Sequence, residues 1–231
     1  MKKKPPVIAT CLSIFALGAA ALPIAHAKDP NTDTATRDTI TFIFPKEMFQ
    51  GTPAPVKRAN LEDAENYVPH KSVTVPAGTK NLAKDKPVTS SDDFPIIGEL
   101  AMVTDGDKDA ADGSFVELAP EKQWVQIDLG KSADIEFVMV WHYHKNARAY
   151  DDVVVQISDD PEFQKGVKTL FNNDHDNSSG LGKGSDPAYI DKNHGRLIDA
   201  SGSSGRFVRL YSAGNTANAL NHYIEVEVWG K

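Results

Sequence analysis

Gln123-Trp124-Val125-Gln126-Ile127-Asp128-Leu129-Gly130 alternates along its whole length. Val125, Ile127 and Leu129 fall on one face, Trp124, Gln126 and Asp128 on the other, and Gly130 ends the run. A period of two marks a strand with one face on a core. The same period returns in Arg206–Tyr211 and in Tyr223–Trp229. Ile135 to Tyr143 is nearly continuous apolar sequence, as a central strand buried on both faces requires. Val153–Ile157 supplies a further strand, and Pro161–Gly166 has room for one helical turn. Strands at this spacing, separated by Gly, Asp and Asn turns, predict an all-β fold, an antiparallel sandwich of jelly-roll type. One stretch departs from the pattern: residues 171–205 are long, polar and glycine-rich, which in a compact domain points to function or disorder.

Four phrases stand in fixed order around that strand. Asn81-Leu82-Ala83-Lys84-Asp85-Lys86-Pro87-Val88-Thr89-Ser90-Ser91 opens the set, and Thr104-Asp105-Gly106-Asp107 follows. After Gln123–Gly130 come Arg206-Phe207-Val208-Arg209-Leu210 and Ile224-Glu225-Val226-Glu227-Val228-Trp229-Gly230. In order and spacing the set resembles the discoidin, or coagulation factor V/VIII type C, domain, whose superfamily also holds the family 32 carbohydrate-binding modules. The resemblance runs over residues 81–230. It implies a galactose-binding-like sandwich that binds through its loops and catalyses nothing. It also implies a structural calcium, with ligands at Asp105, Asp107 and Glu225. Where the family loop often carries Thr, this chain has Lys108-Asp109-Ala110-Ala111-Asp112, which leaves the full ligand set open. The residues themselves suit calcium, which takes about six to eight oxygens. Asp105, Asp107, Asp109 and Asp112 crowd one loop with Gly106 and Gly113. A solvated acidic turn is the plain alternative.

Two further groups carry chemistry. In Trp141-His142-Tyr143-His144 the two imidazoles share one side of a strand, about 6 to 7 Å apart. With a third ligand from Asp174, His175, Asp176, His194 or His222 they would hold zinc or copper; otherwise His142 is a hydrogen-bonded sandwich residue and His144 begins a loop. The second group is a ligand-binding set on loops: His144, Arg148, Tyr150, Asn173, His175 and His222, with Asn221 and Tyr223 beside them. Sugar recognition takes an aromatic face against a ring and planar groups against hydroxyl pairs. Family relatives place such residues on loops at one end of the sandwich, without matching these positions one by one. Ordinary loop contacts are the competing reading, with Arg148 paired to Asp151 or Asp152.

The ends bound the setting. Residues 1–27 read as a secretory leader: Lys2, Lys3 and Lys4, an apolar run from Val7 to Ala25, and Ala25-His26-Ala27 as the cleavage site. An exported chain, periplasmic or secreted, with no membrane insertion after cleavage is expected; a membrane anchor that stays uncleaved is the other reading. Cys11 lies in the leader, so disulfides and thiolate chemistry are excluded from the mature chain. Losing three lysines takes the formal charge from −7 to −10, a poor match to nucleic acid or anionic lipid. Residues 28–80 form an extended arm with short strands at Thr39–Phe44 and Ser72–Val75, the second expected as an added edge strand of the sandwich; a linker is the other possibility. Residues 81–231 are the sandwich domain. No Gly-x-Ser-x-Gly, His-Glu-x-x-His or phosphate loop appears. The expected function is an exported, non-catalytic glycan-binding module with calcium. The alternatives are an envelope protein-interaction module and, behind it, a periplasmic copper or zinc binder.

Overall fold

The computed structural model describes residues 36–48, 55–63 and 67–231; the leader lies outside them. The described chain opens with β1 (Arg37–Thr41), β2 (Ser72–Pro76), β3 (Lys80–Asn81) and β4 (Val88–Ser90). A 3-10 turn at Leu100–Thr104 precedes β5 (Val116–Leu118), β6 (Gln123–Trp141), β7 (Val154–Ser158) and β8 (Lys168–Asn172). The chain closes with β9 (Arg196–Ser212), β10 (Asn221–Tyr223) and β11 (Glu225–Gly230). The main sheet runs β3-β11-β6-β9-β7-β8, with β4 also on β6, and every ladder in it is antiparallel. The fold is the antiparallel jelly-roll sandwich expected. The helical turn expected at Pro161–Gly166 is instead an irregular turn, in which the Asp160 carboxylate accepts the amides of Glu162, Gln164 and Lys165.

Two long strands make the sandwich. Sequence reads residues 123–129 and 135–143 as separate strands, but β6 runs through both, with register shifts between Asp128 and Ala133 and between Ile135 and Phe137. Gly130 takes φ +87° in this irregular stretch, a conformation open to glycine and strained for most residues. The first half of β6 pairs with β4 (Val88 opposite Ile127) and with the end of β9 (Leu210 opposite Val125). The second half pairs with β11 (Val226 opposite Val140) and with the start of β9 (Ile198 opposite Val138). Val125, Ile127, Val138, Val140, Val155, Ile157, Val208, Leu210 and Val226 point inward as one buried core.

The outer face of β6 explains its unbroken apolar run. Phe137, Met139 and Trp141 belong to a second buried cluster, covered by Ile40, Phe42, Phe44, Val73 and Val75 from the arm. Phe42 meets Phe137 edge-on at 5.8 Å between ring centroids. Covering one such aromatic contributes about 1.5 to 3 kcal/mol. Ser72–Pro76 is therefore not an added edge strand of the sandwich. It pairs with β1 (Val73 opposite Ile40), and the two-stranded ribbon lays its apolar residues on β6.

The middle of the arm is held by a second anchor. Arg196 on β9 pairs with Glu62 at 2.7 Å, and its guanidinium lies over the rings of Tyr67 (4.4 Å) and Tyr189 (4.7 Å). Cation–π contacts of this kind are worth about 0.5 to 2 kcal/mol each. Arg196→Ala is expected to free residues 55–70 while the sandwich stays folded. Limited proteolysis checks this: faster cleavage in that segment with unchanged circular dichroism is the expected result, and an unchanged cleavage rate would show that other contacts hold the arm.

Candidate ligand-binding groove

The segment between β8 and β9 is ordered by its own polar side chains. Asp174 accepts the amides of Ser178 and Ser179 and the Ser179 hydroxyl. The Asn172 amide group donates to the Gly182 carbonyl, and Asp186 accepts the Asn172 backbone N–H. Gly184 packs so closely on Asn172 that a Cβ there would lie 2.1 Å from the Asn172 carbonyl oxygen. Thus braced, the segment faces the loop after β6 across an open groove of about 570 Å³. Asp151 and Asp152 line it on one side, His175, Asp176 and Ser178 on another, and Arg58 and Asn60 of the arm close it. Tyr150 and Asn173 also line it.

The expected ligand set splits in two. Tyr150, Asn173 and His175 border the groove, whereas His144, Arg148 and His222 are buried and outside its lining. Even Tyr150 is only 1% exposed, so its ring offers no free face for stacking. Behind it runs a buried polar chain. His222 stands between the Tyr150 hydroxyl (2.9 Å to Nδ1) and the Glu117 carboxylate (3.0 Å to Nε2). Burial, then the positive charge of Arg148 and then His142, hold the His222 imidazole down to about 3. It is therefore neutral at ordinary pH, and its contact with Glu117 is a hydrogen bond and not an ion pair. A carboxylate can only accept, so Nε2–H donates to Glu117 and the Tyr150 hydroxyl donates to Nδ1. Burial also raises the Tyr150 hydroxyl well above its usual range and raises Glu117, with Arg148 opposing both.

Arg148 is not paired to Asp151 or Asp152. Its guanidinium lies 4.7 Å from the centre of the Tyr143 ring, and Asp151 is taken by Arg58. His142 is fully buried, stacked on Tyr150 at 4.4 Å and hydrogen-bonded through Nδ1 to Asp191 at 3.0 Å. His144 Nε2 contacts the Lys108 carbonyl at 3.0 Å, and burial lowers its imidazole. Among the described residues, the group of three carboxylate or imidazole side chains with ligand atoms within 4.8 Å of one another is Asp152, Asp174 and Asp176. It includes neither His142 nor His144, and both oxygens of Asp174 already accept loop donors.

The acidic loop around Gly106 is a separate place. Glu225 on β11 is 0% exposed; Oε2 accepts the Gly106 amide at 3.0 Å, and Oε1 has no partner. Burial pushes this carboxyl up to about 9. Asp105 and Asp107 are exposed and accept the amides of Asp107 and Asp109 in successive tight turns. The Lys84 ammonium, on a half-exposed side chain, rests on the Asp105 carbonyl.

Arg58 and Asn60 were not legible as site residues, since their stretch has no periodicity and no motif. Asp152, Asp176 and Ser178 were legible only as members of polar loops.

Comparison with known proteins follows this geometry. Residues 102–210 match the F5/F8 type C family described as "NedA-like, galactose-binding domain". No curated protein sequence matches the chain. Among solved structures, the chain is similar to the family 32 carbohydrate-binding module of AlyQ in complex with 4,5-unsaturated mannuronic acid. That likeness has 18% identity, 63% of this chain and 95% of that one covered, and a TM-score of 0.47. It is also similar to a fucose-binding module, SpX-3, of Streptococcus pneumoniae, at 19% identity, 66% and 98% coverage and a TM-score of 0.47. A third is the family 89 glycoside hydrolase from Clostridium perfringens, at 15% identity and a TM-score of 0.48, where 65% of this chain covers 14% of the enzyme. The matched residues hold the Asp105-Gly106-Asp107 turn, all of β6 and most of β9, the parts on which the resemblance in the sequence turns, and over that stretch the chain is similar to the F5/F8 type C, galactose-binding-like domains.

Proposed function

We propose that the chain is an exported, non-catalytic module that binds a glycan in the groove between the arm and the loops after β6 and β8. The observation that carries this is the lining of the groove. Asn60, Asp151, Asp152, Asp176 and Arg58 offer planar donors and acceptors, the kind of group that takes a pair of sugar hydroxyls. With the Tyr150 ring covered, recognition rests on hydrogen bonds more than on stacking. The match of residues 102–210 to the F5/F8 type C, galactose-binding-like family supports the same reading.

Calcium is part of the proposal. A buried carboxylate with one oxygen unpaired is costly unless a cation or donor completes it. Glu225, with Asp105 and Asp107 in the adjoining turn, would hold the ion, whose role there is to brace the loop. Export rests on the leader at residues 1–27; Edman sequencing of protein recovered from an exporting host should begin at Lys28, and an intact leader would sink it. A glycan and polysaccharide screen with calcium present tests the function. Saturable binding that Asp152→Ala or Asn173→Ala abolishes is the expected result. The envelope-interaction reading has one observation of its own: Phe94 and Ile96, 86% and 56% exposed, form an apolar loop tip. No glycan binding by folded, calcium-loaded protein, or binding that survives deglycosylation of the target, would favour that reading.

A further inference from the structure

The family match ends at residues 102 and 210, yet the groove has a wall that comes from outside it. Arg58 grips Asp151 with both prongs of its guanidinium, Nε to Oδ1 at 2.5 Å and Nη2 to Oδ2 at 2.7 Å. The Asn60 side-chain amide donates to the Asn173 carbonyl at 3.0 Å. The backbone is fixed as well. Ala188 N–H donates to the Asn60 carbonyl at 3.0 Å and Glu62 N–H to the Ala188 carbonyl at 2.8 Å, a short parallel bridge that includes Leu61. Arg196 then secures Glu62 from the sandwich side. Arg58 and Asn60 are thus positioned by three independent contacts, at the edge of an open space large enough for a sugar or two.

The charge of the lining has a sign. Arg58, the cation of the lining, is spent on Asp151. The His175 ring is engaged with the Asp186 carbonyl at 3.0 Å. What faces the space without a cationic partner is Asp152, which accepts the Ser178 hydroxyl, and the exposed Asp176. Burial, and next the neighbouring carboxylates Asp174, Asp151 and Asp176, raise Asp152, the response of an acid in a negative field. A ligand carboxylate brought into this space would meet like charges at close range while losing water.

We propose that Arg58 and Asn60 of the arm are part of the ligand site, and that the groove so completed takes neutral or amino sugars and rejects acidic ones such as uronates and sialates. The proposal rests on the groove being the glycan site. It gives the arm a task beyond covering β6: the wall it builds sets which sugars fit.

The test uses the full chain and three probes of matched length: a chitosan oligomer, its N-acetylated counterpart and an oligouronate. Titration calorimetry with calcium present measures each. The unmodified protein is expected to bind one of the first two at least about tenfold more tightly than the oligouronate. Asn60→Ala and Arg58→Lys, which keeps the charge and loses the fork, are expected to weaken that binding about fivefold or more, with melting temperatures within a few degrees of the parent. Asp152→Asn is expected to narrow the preference over the oligouronate. Preference for the oligouronate, or equal binding by the arm variants, overturns the inference and leaves glycan binding standing. Failure of the unmodified protein to bind any glycan overturns both.

Discussion

Returning calcium to chelator-treated protein is expected to raise its melting temperature by roughly 8 to 16 °C when free calcium is about a thousand times its dissociation constant. A ligand that binds only the folded state at that ratio adds about 4 kcal/mol, and each kcal/mol moves a domain of this size by about 2 to 4 °C. The expectation comes from Glu225. Its side chain is fully buried, one oxygen holds the Gly106 amide, and the other meets nothing. Asp105 and Asp107 flank Gly106, which sits at φ +86° and turns the loop back toward β11. A divalent ion there would satisfy the free oxygen and displace the Lys84 ammonium from the Asp105 carbonyl, which a half-exposed lysine permits at little cost. Glu225→Gln keeps the volume and the acceptor for Gly106 but removes the charge. It is expected to melt near the calcium-free parent and to ignore added calcium. Parent protein that melts at the same temperature in calcium and in chelator would remove the calcium site from the proposal, and a Gln variant that still responds would move the site away from Glu225.

Local periodicity carries far into this fold and stops short of the site. The alternation of Gln123–Leu129 and the unbroken apolar run of Ile135–Tyr143 both mark real strand. What they conceal is continuity, because Gly130-Lys131-Ser132 looks like a turn and is instead an irregular stretch inside one strand. Burial of Ile135–Tyr143 on both faces follows from the sequence, but its cause is long-range. Phe42, Phe44 and Val75 come from some 60 to 100 residues upstream to cover Phe137, Met139 and Trp141. Among site residues, a polar side chain in a loop-like context gives no sign of whether a later segment will bury it. His144 is covered where the Lys108 carbonyl meets it, and Arg148 lies against Tyr143. Arg58 reaches the groove only because its bond to Asp151 spans 93 residues, a pairing that no spacing encodes.

Acid is expected to unfold the protein earlier than its carboxylates alone would require, and His222 is the reason. Its side chain is 3% exposed and its imidazole is held down to about 3, against 6.5 when free. The unfolded chain therefore takes up a proton as pH falls through 6.5, while the folded chain refuses it until near 3. The stability contributed by this buried neutral imidazole is intact above pH 6.5 and is lost progressively below it, by up to roughly 5 kcal/mol over the whole interval. His144 and His194, also lowered by burial, act in the same direction. Glu117 opposes them: raised in the folded state, it binds its proton there first and adds stability as pH falls. Asp152, raised by burial, and Glu225, pushed up to about 9, oppose them in the same way, so the difference between the parent and a His222 variant, not the parent's own slope, isolates the histidine. As the pH falls below 6.5, the change in denaturant midpoint should be more destabilising in the parent than in His222→Gln, whose amide can still donate to Glu117 and accept from Tyr150. Equal slopes would mean that His222 titrates as a free imidazole. If the slopes differ, the consequence reaches the groove. A protonated His222 has two donors and no acceptor, so the Tyr150 hydroxyl must turn from donor to acceptor at Nδ1 and give its own proton elsewhere. Tyr150 borders the groove, so glycan affinity should hold through the range where stability falls and weaken only as the pH nears 3, where the folded chain takes up the proton.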